Sequence, residues 1–106
     1  MGAGWREPSA MQLNVALQDG FDHDDVAIYV DGDEVYRDRV TTRTQISHAA
    51  DMRLEVPDGP FTLEVEVPAR AVRESFRLDS QANPNVAISL LGGRLVAEYP
   101  EQLGFA

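Results

Sequence analysis

Asp19, Asp22, Asp24 and Asp25, with His23 among them, fall within seven residues of the stretch LQDGFDHDDV. Clustered carboxylates in a loop suit calcium, which takes six to eight oxygen ligands. The EF-hand register is not met, because the fifth position counted from Asp22 is Val26, and counted from Asp31 it is Val35. A second acidic run, Asp31, Asp33 and Glu34, follows a strand-like segment of about five residues. Such a segment spans roughly 17 Å, which predicts that the two runs lie at opposite ends of the fold. An up-and-down strand count brings different loops to the end that holds Asp22: Asp58 of PDGP, and Asp79, Asn83 and Asn85 of LDSQANPN. That count requires RDRVTTRTQ to form two strands rather than one bent strand. The expectation is a Ca²⁺ or other hard-cation site built on Asp19, Asp22, Asp24 and Asp25 and completed by Asp58 and Asp79. The bland counterpart is a solvated hairpin loop, in which Asp and Gly serve only turn geometry.

Other chemistry finds fewer residues. His23 and His48 are the only histidines, with no motif joining them, and cysteine is absent, so a zinc site has little to build on. None of Ser9, Ser47, Ser75, Ser80 and Ser89 has a histidine or acid at a recognisable spacing. A Gly-x-Ser-x-Gly elbow and a phosphate-cradling glycine loop are both missing. A glycosidase-like carboxylate pair would need a deep cleft, which a small sandwich does not offer. The chain is therefore expected to be no enzyme and to need no cofactor beyond such a cation. The net charge of −9 disfavours nucleic acid and anionic membranes as partners. No apolar run approaches the eighteen or so residues of a membrane span. The opening MGAGWREPSA lacks a signal-peptide pattern, which predicts a cytoplasmic protein.

The elements that must position these groups are strands. Alternation is cleanest in MQLNVALQ, where Met11, Leu13, Val15 and Leu17 oppose Gln12, Asn14, Ala16 and Gln18. It recurs in VAIYV, FTLEVEV, VAISL and RLVAEY, with shorter pieces near residues 35–37, 42–47 and 52–56. VDGDEV and LLGGRL read as two-residue hairpins, and VPDGPF as a Pro-bounded turn. The pattern predicts one all-β domain, an antiparallel β-sandwich of seven to nine short strands, Ig-like or transthyretin-like. Its core covers about residues 11–100, with residues 1–10 and 101–106 as tails. Within it, a hairpin pairing Val67 with Val72 sets Glu66 opposite Arg73 and leaves Glu74 facing inward. An inward carboxylate is one device that stops an edge strand from pairing with other chains. Arg70 is its expected partner.

VAIYVDGDEVY and LEVPDGPFTLEVEVP resemble the transthyretin-like or carboxypeptidase-regulatory-like β-sandwich modules, the second through Gly59 followed two residues later by Phe61. The resemblance covers about half the chain. It implies an accessory or binding module without chemistry of its own, and brings no catalytic residues.

Several apolar residues fall outside the inward pattern: Trp5, Phe21, Tyr29, Tyr36, Leu103 and Phe105. Either they dock on their own domain, or Trp5, Tyr29, Tyr36, Leu103 and Phe105 mark a surface for a partner protein or for self-association. The sequence thus predicts a non-catalytic protein-binding or assembly module, with a Ca²⁺-binding sandwich as the alternative.

Overall fold

The computed structural model describes residues 10–101 apart from residues 44 and 47, and these form eight strands and one short 3-10 turn. Strands β1 (Ala10–Leu17), β4 (Ala50–Pro57), β7 (Asn85–Leu91) and β8 (Arg94–Glu98) form one sheet in the order β4-β1-β7-β8. Strands β2 (Asp24–Val30), β3 (Asp33–Val40), β5 (Pro60–Val67) and β6 (Val72–Asp79) form the other, in the order β3-β2-β5-β6. The two sheets pack face to face as a β-sandwich.

The core follows the two-residue period. Leu13, Val15 and Leu17 of β1, Val26, Ile28 and Val30 of β2, and Phe61, Leu63, Val65 and Val67 of β5 are all buried. Each full burial of this kind contributes roughly 1.5 to 3 kcal/mol. Met11, in phase with β1 but at its outer end, is exposed. Two of the expected turns are tight hairpins with both central residues at positive φ: Asp31 and Gly32 at 49° and 89°, Gly92 and Gly93 at 59° and 78°. The Pro-bounded turn around Gly59 instead carries the chain from one sheet to the other, since β4 and β5 belong to different sheets.

The β5–β6 hairpin has the expected register, with Val67 opposite Val72, Glu66 opposite Arg73 and Val65 opposite Glu74. β6 is an edge strand, as the inward Glu74 implies. Its cation is different from the one expected: Arg94 of β8 approaches Glu74 at 3.9 Å, while Arg70 is engaged elsewhere.

Two further expectations are corrected. The sandwich is not wholly antiparallel, because β1 runs parallel to β7 from Asn14↔Asn85 to Leu17↔Ile88. Alternation specifies which face a residue takes and carries no information on strand direction. RDRVTTRTQ is also not two strands. β3 ends at Val40, and a compact loop with an isolated Arg43–His48 bridge leads to β4. Arg43 and His48 exchange backbone hydrogen bonds across this loop, so the chain turns back at the same end of the sandwich. Every later element is therefore reversed relative to the up-and-down count. Asp58 and Asp79 lie at the end opposite Asp22, on the side of the Asp31–Gly32 turn, where the Asp31 carboxylate accepts the Thr62 N–H at 3.0 Å.

Candidate functional site

The loop between β1 and β2 is tied down along its whole length. Gln18 N–H donates to Ile88 O, and Leu90 N–H to Asp19 O, both at 2.8 Å, which prolongs the β1–β7 pairing into the loop. Gly20 follows with φ +94°, so close to β7 that an added Cβ would stand 1.7 Å from the Leu90 carbonyl oxygen. Phe21 turns into the core and is 2% exposed, which corrects its placement outside the inward pattern. Alternation could not locate it, because a loop residue has no strand phase. Thr42 spans this turn, accepting the Phe21 N–H at 2.9 Å and donating to Gln18 O at 2.6 Å.

The four aspartates of this loop and the start of β2 point to four different places. Asp19 borders a hollow on the outer face of β1-β7-β8. Asp22 pairs with His23 at 2.9 Å, both side chains exposed. Asp25 accepts from Arg39 Nε at 3.1 Å on the outer face of β2-β3. Asp24 is buried, with Oδ1 accepting from Arg70 Nε and Oδ2 from Arg70 Nη2, each at 2.9 Å, and Oδ2 also accepting the Asp22 N–H at 2.8 Å. Burial pushes the Asp24 carboxyl up, but the Arg70 hydrogen bonds, the Asp22 amide and the Arg70 charge outweigh it and hold the group below its ordinary 3.8. Arg70 reaches Asp24 from the 3-10 turn Pro68–Arg70, which Ala71 closes in the left-handed region at φ 55°. Sequence reasoning missed this pair, though a signal was present. Asp24 is in phase with Val26, Ile28 and Val30, so it had to face inward and needed a cation.

Asp58 and Asp79 are brought together, but around Gln81: Asp58 Oδ1 accepts from its side-chain amide at 2.7 Å and Asp79 Oδ1 from its backbone N–H at 2.9 Å. His48 lies 3.5 Å from Asp51, whereas His23 pairs with Asp22. Among the described residues no group of three or more His, Asp or Glu side chains is disposed to hold a metal ion.

Trp5, Leu103 and Phe105 lie outside the described residues. Tyr29 is on the outer face of β3-β2-β5-β6, within a continuous polar network. Its hydroxyl is 3.4 Å from both Glu66 and Arg37, and Arg37 donates to Glu34 at 2.9 Å, holding the Glu34 carboxyl below its ordinary value. Glu64 and Arg73 form a further pair on the same face, across β5 and β6. Tyr36, expected to be outside the inward pattern, instead packs against the core, and burial followed by the Asp38 charge pushes its hydroxyl up.

The opposite outer face is different in kind. Its centre is neutral: Asn14 donates to Asn85 Oδ1 at 2.9 Å, beside buried Ala16 and Ala87. Asn85 also donates to the Glu101 carbonyl at 2.7 Å, fixing the chain after β8. The hollow here holds about 120 Å³ between Gln18, Asp19, Ser89, Leu91, Val96 and Glu98, well short of the roughly 300 Å³ at which ligand pockets begin. Leu91, Val96 and Tyr99 are 51%, 42% and 45% exposed on this hairpin and its exit. No protein-family model, curated protein or solved structure matches the chain. No helix among the described residues is long and apolar enough to cross a membrane.

Proposed function

We propose that the chain is a non-catalytic protein-binding or assembly module whose working surface is the β7–β8 side of the sandwich. One observation carries this reading: Leu91, Val96 and Tyr99 are solvent-exposed on a single hairpin and its exit, next to a sheet face whose centre is uncharged. Interface cores are depleted in charge, more apolar than the surrounding surface and enriched in aromatic side chains such as tyrosine. On the other outer face Arg37 pairs with Glu34, Arg39 with Asp25 and Arg73 with Glu64, which leaves less for a partner to gain there. The resemblance to accessory β-sandwich modules leans the same way.

A photo-reactive amino acid placed at Leu91, in cells that make the protein, tests the reading. One adduct of defined mass is expected from position 91 and none from a control at Ser75, on the other outer face. Diffuse labelling of equal strength from both positions, or no adduct from either, overturns it.

A further inference from the structure

β8 is an edge strand, and among the described residues only β7 pairs with it. The other edges carry features that hinder pairing. β3 is bent by an irregularity opposite Ile28 and Tyr29, β6 faces Glu74 inward, and β4 ends in Pro57. β8 has none of these, and it lies beside the exposed Leu91 and Tyr99.

The β7–β8 register shows which backbone groups of β8 are turned away from β7. Gly92 and Gly93 form a two-residue turn, so the closing pair Leu91↔Arg94 is hydrogen-bonded and the pairs alternate from there. Arg94, Val96 and Glu98 therefore direct their N–H and C=O groups to β7, and Leu95 and Ala97 direct theirs away from it. The far side of β7 agrees with this alternation. Ile88 and Leu90, opposite Ala97 and Leu95, turn Ile88 O and Leu90 N–H toward the β1 side, to Gln18 N–H and Asp19 O.

We infer that β8 pairs with β8 of a second copy of this chain, antiparallel about a two-fold axis at Val96, joining the two β4-β1-β7-β8 sheets into one. In this register Leu95 and Ala97 exchange backbone hydrogen bonds with Ala97 and Leu95 of the second copy. Val96 meets Val96 at the close, non-hydrogen-bonded spacing. On the same outer face Arg94 stands opposite Glu98 of the second copy, and Glu98 opposite its Arg94. The segment Arg-Leu-Val-Ala-Glu is thus self-complementary in charge, in apolar contact and in backbone hydrogen bonding at one register. In the single chain Arg94 is 3.9 Å from Glu74 of β6, so the exchange moves it from that long contact to Glu98 of the second copy. A five-residue seam is at the small end of protein interfaces, so the dimer forms with rising concentration rather than permanently.

This inference rests on the assembly reading above and names its partner. Sedimentation equilibrium of the full chain from micromolar to millimolar concentration is expected to show a monomer–dimer equilibrium. Arg94→Glu and Glu98→Arg each turn both attractive cross-strand pairs into repulsive ones and are expected to weaken association about tenfold or more. An equimolar mixture of the two, in which both pairs become attractive again, is expected to dimerise, as is the double variant R94E/E98R. A wild-type chain that stays monomeric, a dimer indifferent to both single changes, or losses that neither the mixture nor the double variant restores, each overturns the register. If the adduct from Leu91 joins a different protein while the chain remains a monomer, self-pairing is wrong and the binding-module reading stands; without any adduct, that reading falls as well.

Discussion

Asp24 with Arg70, at the β1–β2 end, and Asp25 with Arg39, on the outer face of β2-β3, are carboxylate–arginine pairs of nearly equal length, at 2.9 and 3.1 Å. They differ in their surroundings. The Asp24 side chain is 6% exposed, while those of Asp25 and Arg39 are 51% and 65% exposed. Water already solvates the second pair, so its formation gains little. Asp24 has lost most of its water, so removing Arg70 strands a buried charge. Separation alone does not rank ion pairs; what each partner would face without the other does.

The largest effect is expected at the same end as the buried pair, in the backbone. Gly20→Ala puts a Cβ onto the Leu90 carbonyl at a φ that non-glycine residues avoid, and is expected to cost about 3 kcal/mol or more in urea unfolding. Gly32→Ala, in the open hairpin turn of the other region, meets nothing within 4 Å and is expected to cost only about 1 to 2 kcal/mol. Equal losses at the two glycines would remove the claim that the β1–β2 loop is seated on β7.

Arg70→Leu comes next. Breaking a fully buried pair costs about 3 to 5 kcal/mol, and since Arg70 is 41% exposed the expected loss is about 2 kcal/mol. The pair also sets an acid limb. The folded Asp24 carboxyl titrates below its ordinary 3.8, so its stabilisation is complete above that pH and is lost as pH falls through the folded value. Asp24→Asn is expected to flatten this part of the urea midpoint against pH, and an unchanged slope would mean that other carboxylates govern the limb. Arg39→Ala, by contrast, is expected to shift the urea midpoint far less than Arg70→Leu, and less still in high salt. A loss equal to that of Arg70→Leu would erase the distinction between the two regions. The smallest expected effect is none at all: millimolar Ca²⁺ should leave the melting midpoint of metal-free protein unmoved, because Asp19, Asp22, Asp24 and Asp25 diverge. A reproducible rise would restore the cation reading by mass action.

The sequence made some of this legible for physical reasons. The β5–β6 register could be read because two constraints agreed, apolar residues at one parity and Glu66 facing Arg73 at the other. The hairpins at Asp31–Gly32 and Gly92–Gly93 were readable from turn chemistry that depends on a few adjacent residues. The end at which Asp58 and Asp79 sit was not, since it depends on whether residues 41–49 cross the sandwich, and a single compact loop reverses everything after it. The ion pair of Asp24 and Arg70 joins residues 46 positions apart, and only half of it, the inward phase of Asp24, leaves a local trace. The parallel β1–β7 pair, with 71 positions between Asn14 and Asn85, leaves none.

That parallel pair has a consequence for the order in which the molecule is made. The sheet β3-β2-β5-β6 is assembled from two hairpins of neighbouring strands, β2–β3 and β5–β6, joined where β2 meets β5. β1 has no such neighbour. On the ribosome it waits for β4 on one flank and for β7 on the other, and until residue 88 has emerged its second flank is an open edge. Long-range pairing of this kind slows folding. β1, made before the other seven strands described, is therefore among the last of them to be secured, and nascent chains halted before β7 should be held by chaperones far more than chains released beyond β8.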